Sequence, residues 1–275
     1  MPKKNLSSSG QTGPLSVGNV VSASLRIYRD HFKSYFGLAL VAYLWLLVPI
    51  YGWAKYSAIA ALISRLAFGE VREKPETVSD ARREVNPRMW SFLWAGILTF
   101  LIFLGVSLVG GLAMGILAGG AAAIFGQNYV IIGALVVVAV IAFLIIYIRI
   151  ISRLLIVELP LAIEGDLYAG GAIGRSWQLT KGSVGRIQWI VVVAFLISVP
   201  VYIVSNVLTV IIQNVLTKIL GSESSLFFLL YIMLLVVVSI VFGAIVIPFW
   251  QAIKAVIYYD LRSRKEGLGL QMRDR

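Results

Sequence analysis

The sequence predicts an all-α, polytopic membrane helix bundle with about six membrane helices, in a single membrane domain covering residues 17–262. The chain has 275 residues, of which 59% are hydrophobic and 13% charged. Soluble domains carry about 25% charged residues, so long apolar runs with so little charge need hydrocarbon as their solvent. The Lys and Arg residues cluster in the gaps between the apolar runs, as in the connectors of membrane proteins.

The first helix is predicted at residues 17–35, where apolar residues recur at helical spacing. Its polar face carries Arg26, Arg29 and Lys33. Two placements stay open, because such a helix can lie in the membrane interface or pack on other cytoplasmic helices of the chain. Residues 1–16 are polar and are expected to form a disordered cytoplasmic tail. A second cytoplasmic tail is expected at residues 263–275.

Residues 36–68 are expected to form a short hairpin in the membrane. Its first limb is an apolar run of only 13 residues, which ends where Pro49 to Gly52 break the helix. The second limb is apolar except for Lys55 and Arg65. A full crossing needs about 20 residues, so the pattern fits either two short, tilted crossings or a re-entrant hairpin that turns inside the bilayer.

Four further apolar runs are long enough to be crossings. They are residues 90–118, 129–148, 187–212 and 226–250. The last helix is expected to continue into the cytoplasm. The connectors between the runs are a charged loop at 69–89, a small loop at 119–128, a polar cytoplasmic element at 158–186 and a loop at 213–225.

The distribution of cations predicts the sidedness of the chain. Twenty-one of the 24 Lys and Arg residues lie in residues 1–35, 69–89, 149–186 and 254–275. The positive-inside rule therefore places these regions and both termini in the cytoplasm. An even number of crossings, two or zero, must then lie between residues 35 and 69, and a two-limbed hairpin brings the count to six.

Three segments resemble a known family. LSVGNVVSASLRIYRDHF (15–32), SWQLTKG (176–182) and YYDLRSRKEG (258–267) are similar to the bacterial integral-membrane family named for the glycerophosphoryl diester phosphodiesterase membrane domain. The resemblance implies about six transmembrane helices in the bacterial cytoplasmic (inner) membrane or an internal membrane, and no assigned activity for members that stand alone. Catalysis is not implied, since soluble barrel-type phosphodiesterases use more than one His and this chain has only His31.

Two intramembrane faces are candidates for helix contacts. Ser107, Gly111, Gly115 and Gly119 fall four apart, which lets helix backbones approach closely, either inside the bundle or at a seam between copies of the chain. A polar face comprises Asn206, Thr209 and Gln213. Polar groups in hydrocarbon need partners, so this face is expected to form interhelical hydrogen bonds or to line a substrate path.

Further interfacial residues are expected in and around the 158–186 element. An amphipathic helix is predicted from about Ala169 to Lys181. The expected headgroup contacts are Arg149, Arg153, Arg175, Trp177 and Lys181. The carboxylates of this element, which are Glu158, Glu164 and Asp166, are expected to serve in ion pairs and helix capping rather than acid–base catalysis.

The sequence favours a protein that is not an enzyme. With one His and no Cys it predicts no catalytic, metal or cofactor site, and a soluble basic face for nucleic acid is missing. The scarcity of charge at mid-depth argues against proton coupling. The favoured function is to organise, assemble or stabilise membrane components, with anionic lipid headgroups as partners and another membrane protein or a second copy as further candidates.

The alternative function is that of a small permease or lipid-handling protein. Its cavity would lie between the 187–212 and 226–250 helices. Pro200 and Pro248 are expected to kink these helices and leave space between them.

Overall fold

The computed structural model describes residues 15–126, 128–165 and 167–267, and within these ranges the chain is all-α, as predicted. Of the predicted tails at 1–16 and 263–275, residues 1–14 and 268–275 lie outside the described residues, as does Asp166, while residues 263–266 continue the last helix. The elements are α1 (Val17–Asp30), α2 (Phe32–Trp45), α3 (Tyr51–Val71), α4 (Val78–Val85), a 3-10 turn (Asn86–Arg88), α5 (Met89–Phe125), α6 (Tyr129–Leu154), α7 (Glu158–Ile163), α8 (Ala169–Thr180), α9 (Val184–Leu220) and α10 (Ser225–Glu266).

Four helices, α5, α6, α9 and α10, are long and apolar enough to cross a membrane. The shortest of them, α6, has 26 residues. At 1.5 Å per residue it is about 39 Å long, against a hydrocarbon core of about 30 Å. Each of the four contains one predicted crossing and extends beyond it. Residues 119–125, predicted as loop, continue α5 until Gly126 ends it with a φ of 60°, because a run of small apolar residues does not by itself stop a helix.

The buried core lies at one end of the bundle, which we call the base. Here α1, α3, α4, α7 and α8 pack around the inner ends of the four long helices. Most of α3 is buried, and its residues from Ala58 to Ser64 are all inaccessible or nearly so. In α10 the buried residues concentrate between Ala244 and Leu261. The predicted run of the last helix beyond residue 250 therefore becomes the centre of the core.

Ion pairs hold the two ends of the described chain together in the base. Arg186 pairs with Asp260, and Asp260 Oδ1 also accepts a hydrogen bond from the Leu15 backbone N–H at 3.1 Å. The guanidinium of Arg186 donates to the Leu15 carbonyl at 3.0 Å. A buried carboxylate needs partners of this kind, because the ion pair and the hydrogen bonds offset the cost of removing it from water. The segment before α1 is thereby tied to the end of α10.

The four long helices pack on one another in chain order, α5 on α6, α6 on α9 and α9 on α10. In the first pair the close approach is made by Gly110, where an added Cβ would lie 2.1 Å from Phe143 Cε2. The outward faces carry large exposed apolar side chains, such as Ile116 at 76% and Val130 at 82% exposure. Contiguous apolar surface of this extent needs hydrocarbon around it.

The predicted break at Pro49 to Gly52 is the turn between α2 and α3. Tyr51 N donates to the Pro49 carbonyl at 2.7 Å, and Ile50 has φ 61° and ψ −69°, which together form a classic γ-turn. Gly52 lies so close to Trp45 that an added Cβ would be 1.8 Å from the Trp45 carbonyl oxygen. Tyr43, near the end of α2, packs on Gly243 in α10. The turn therefore lies beside the middle of α10 rather than at its outer end.

Candidate functional site

A cavity of about 430 Å³ lies where the inner halves of the long helices meet α2 and α3. Its walls come from α2, α3, α5, α9 and α10 and from the end of α6 and the start of α7. The polar side chains that line it are Tyr43, Tyr56, Ser57, Thr99, Glu158, Tyr202, Gln251 and Lys254. It includes residues of both helices between which a cavity was predicted, but α3 and α5 contribute as much.

The end of the cavity nearest the base carries a paired charge. Lys254 Nζ lies 3.2 Å from Glu158 Oε1, and the two side chains are only 18% and 21% exposed. Ser64, fully buried on α3, donates from Oγ to Glu158 Oε1 at 2.5 Å, and Ser64 Oγ lies 2.9 Å from Gln251 Oε1. A charge in so sheltered a place requires such partners, because desolvation otherwise costs several kcal/mol per ion.

Local helix geometry brings these four residues together. Gln251 and Lys254 are three residues apart on α10, so they lie on one face of that helix. Glu158 is the first residue of α7, where a negative side chain favours the helix start. Between α6 and α7 the backbone keeps helical dihedrals, and hydrogen bonds from Val157 N to the Leu154 carbonyl and from Leu159 N to the Ile156 carbonyl lead into α7. Glu158 thereby lies beside α3 and α10.

The other end of the cavity is aromatic. The rings of Tyr43 and Tyr56 contact edge to face, with centroids 5.5 Å apart. Tyr202 from α9 completes this end. Between Gly243 and Lys254, both of which line the cavity, α10 rises by about 16 Å. The cavity is thus elongated along the helix axes, with a charged end and an aromatic end.

A second, more open groove runs along α9. It has a volume of about 620 Å³ and is lined by Phe195, Val199, Tyr202, Ile203, Asn206 and Val207. Tyr202 lines both this groove and the cavity. Tyr202 is thus a shared wall of the two spaces. The lining of the cavity includes the charged pair and hydroxyl groups, whereas that of the groove is mostly apolar.

The predicted face of small residues on α5, which we call the small face, points away from the rest of the chain. Ser107, Gly111, Gly115 and Gly119 are all exposed. An added Cβ on any of the three glycines would meet nothing within 4 Å. The contact between α5 and α6 inside the chain uses Gly110 instead. Of the two predicted uses of the small face, packing inside the bundle or a seam between copies of the chain, the second stays a prediction.

The predicted polar face of α9 is also directed outward. The Asn206 amide donates to the Tyr202 carbonyl at 2.8 Å, and Thr209 Oγ1 donates to the Ser205 carbonyl at 3.0 Å. Gln213 is exposed. Both hydrogen bonds are made within α9 and not to another helix. Asn206 lines the groove described above, and its role in a substrate path stays a prediction.

The predicted interfacial residues divide into two groups. Arg26, Arg29, Lys33, Arg149, Trp177 and Lys181 are exposed. Arg153 lies over the Trp177 ring at 4.7 Å and donates to the Trp177 carbonyl. Arg175 faces inward and pairs with Glu164 and Glu266. Burial alone would lower the pKa of Arg175, but these two carboxylates outweigh burial and raise it.

Sequence reasoning missed the cavity residues. It assigned Glu158 to ion pairs with neighbouring arginines, whereas its partner is Lys254, almost a hundred residues further on. The available signal was a pair of polar residues, Gln251 and Lys254, three apart inside an otherwise apolar helix. Among the described residues, no group of three or more His, Asp or Glu side chains is placed to hold a metal ion.

The fold and the cavity define the class of protein. Four apolar helices of membrane-crossing length border a partly open cavity that holds a charged pair, and helices of this length and hydrophobicity are compatible with a membrane-embedded helix bundle. No family model matches the sequence, and neither the curated proteins nor the solved structures include a significant match.

Proposed function

We propose that this protein is a non-enzymatic, multi-pass membrane protein that binds and handles membrane lipid. The observation that carries the proposal is the cavity of about 430 Å³ with the Glu158–Lys254 pair at one end. A volume of this size lies in the range of small-ligand sites. Such a site, charged at one end and aromatic at the other, suits an amphiphile better than a fully polar or fully apolar ligand.

The proposed placement in the membrane puts the base and both termini in the cytoplasm. Exposed tryptophans at the inner ends of the long helices, Trp90 and Trp94 on α5 and Trp189 on α9, support a headgroup level just outside the base. The base carries the exposed cations Arg26, Arg29 and Lys33, which suit an anionic leaflet. We assign the chain to the bacterial cytoplasmic membrane on the three resembling segments.

The α2–α3 hairpin is proposed as re-entrant, with its limbs as the fifth and sixth membrane helices. Tyr43, close to the turn, packs on Gly243, which is about 27 Å along α10 from the outer end of that helix at Ser225. Helix α2 has 14 residues, about 21 Å, which is too short for a crossing of about 30 Å. A hairpin that enters from the cytoplasm and turns near mid-depth satisfies both observations.

Filling the cavity is expected to remove bound lipid. Gly96 lines the cavity, and a Cβ there would meet nothing within 4 Å, so Gly96→Phe should occupy the space without a backbone clash. We expect lipid retained by the purified protein to fall to roughly a tenth, because the aromatic ring displaces the ligand. The measurement is native mass spectrometry of protein released from bilayers.

Gly105→Phe on the same helix is the matched control. Gly105 is equally open but outside the cavity lining, on the opposite face of α5. It should retain as much lipid as the unmodified chain. Equal retention by both variants would show that the cavity does not hold lipid and would remove the proposal.

A second proposed function is assembly with another membrane protein or with a second copy. It is supported by the outward direction of Ser107, Gly111, Gly115 and Gly119, whose face contacts no other helix of the described chain within 4 Å of the glycines. Small residues at this spacing allow close helix contact in lipid, as in a glycine zipper.

Self-association is expected to weaken when this face is blocked. Gly115→Leu should raise the dissociation constant of a homo-oligomer by about tenfold, since the new side chain keeps two backbones apart. Energy transfer between labelled copies in vesicles measures this. The control is Gly133→Leu on α6, also at an open position. A monomeric unmodified chain would exclude self-assembly.

A further inference from the structure

The cavity and the α9 groove differ in chemistry but meet at Tyr202. The cavity offers charged and hydroxyl groups, whereas the groove is apolar apart from Tyr202 and Asn206. The Asn206 amide donates one hydrogen bond to the Tyr202 carbonyl and is one of the few polar groups of the groove. A single molecule that occupies both spaces needs a polar head and an apolar chain.

The charges that line the cavity indicate which kind of lipid headgroup it can bind. Among the residues that line it, only Glu158 and Lys254 are charged at neutral pH, and their charges cancel. This contrasts with the chain as a whole, whose formal net charge is +11. An anionic head is drawn to the surface of the base, but within the cavity the carboxylate of Glu158 opposes the attraction of Lys254.

Both charged groups retain capacity for a ligand. Within the described residues, the hydrogen bond from Ser64 and the ion pair with Lys254 both use Glu158 Oε1, which leaves Oε2 for a cationic partner. An ammonium group carries three protons, so Lys254 can face Glu158 and also donate to an anion.

We propose that the cavity and the groove together form one site for a zwitterionic phospholipid. Its ammonium group binds Glu158, its phosphate binds Lys254, and one acyl chain passes Tyr202 into the groove beside Val199 and Ile203. This inference rests on the proposed lipid-handling function and adds the class of lipid. The ammonium and phosphate groups of such a headgroup are thereby each placed beside a protein group of opposite charge.

The inference is tested by competition between a zwitterionic and an anionic phospholipid. The full chain is reconstituted in vesicles of equal amounts of phosphatidylethanolamine and phosphatidylglycerol, and the retained lipids are counted by native mass spectrometry. We expect phosphatidylethanolamine to exceed phosphatidylglycerol in the unmodified chain. Glu158→Gln, which leaves Lys254 unopposed, should shift the ratio toward phosphatidylglycerol by at least about threefold.

Glu70→Gln is the matched control, because it removes the same charge from α3 at a site that pairs with His31 outside the cavity. It should leave the ratio unchanged. A second variant, Val199→Trp, fills the groove without altering the charged pair, and it should lower retention of both lipids. If Glu158→Gln folds poorly, the ratio in the unmodified chain and the loss in Val199→Trp still test the inference.

The outcomes separate this inference from the function on which it rests. Equal retention of both lipids, or a preference for phosphatidylglycerol in the unmodified chain, overturns the zwitterionic class. If Gly96→Phe still loses lipid in that case, the lipid-handling function stands. If Gly96→Phe retains lipid normally, both the function and the inference fail.

Discussion

Lys254→Met is expected to lower the free energy of unfolding by about 3 kcal/mol. The substitution removes one partner of the Glu158–Lys254 pair and leaves the Glu158 carboxylate sheltered, at 21% exposure. Its one remaining donor among the described residues is the Ser64 hydroxyl. Truncation of a buried pair costs most through the charge that is left behind, and the remaining exposure places the loss toward the lower end of the usual range. Denaturant titration in mixed micelles, followed by circular dichroism, measures the change.

The double variant Glu158→Gln/Lys254→Met separates this cause from lost packing. It removes both charges and should recover most of the lost stability, because no unpaired charge is left in the cavity. Lys218→Met, at an exposed position near the outer end of α9, is the control for removal of a lysine and should leave stability unchanged. If the double variant is less stable than the single one, the pair is held by interactions other than those described.

Gly52→Ala is expected to destabilise the α2–α3 hairpin by about 2–3 kcal/mol. A Cβ at this position would lie 1.8 Å from the Trp45 carbonyl oxygen and 2.9 Å from the Val48 Cβ. The nearer atom belongs to the backbone, so relief requires the turn itself to move. That turn already contains Ile50 in a strained γ-turn conformation and has little freedom to adjust. Thermal unfolding in detergent measures the loss.

Gly37→Ala in α2 is the matched control. A Cβ at Gly37 meets nothing within 4 Å, and Ala favours a helix over Gly by up to about 1 kcal/mol. This variant should be as stable as the unmodified chain or slightly more stable. Similar losses in both variants would mean that the hairpin tolerates no change at its glycines and would contradict the specific role of the turn.

The positions of Glu158 and Lys254 relative to the apolar runs explain how a chain with so little charge in those runs can have a charged pair in its cavity. The scarcity of charge along the apolar runs argued against proton coupling. The charges of the cavity, however, come from the margins of those runs, with Glu158 just after α6 and Lys254 beyond the apolar part of α10. Because α10 continues without a break into the base, Lys254 lies against Glu158 inside the bundle rather than among lipid headgroups.

The sequence by itself determined the helical class, the four long apolar helices and the break at Pro49 to Gly52. These features follow from local properties, namely the length of apolar runs, the scarcity of charge and the backbone chemistry of Pro and Gly. The amphipathic helix at about Ala169 was also predictable, since its periodicity lies within one short segment.

Only the tertiary structure decided which residues meet. The partner of Glu158, the buried position of α3 and the outward direction of the small face on α5 depend on contacts between distant segments. Helical periodicity tells which residues share a face but not what that face contacts. In a chain whose outer faces are apolar, hydrophobicity no longer distinguishes inside from outside, so packing alone assigns each face to a cavity, another helix or lipid.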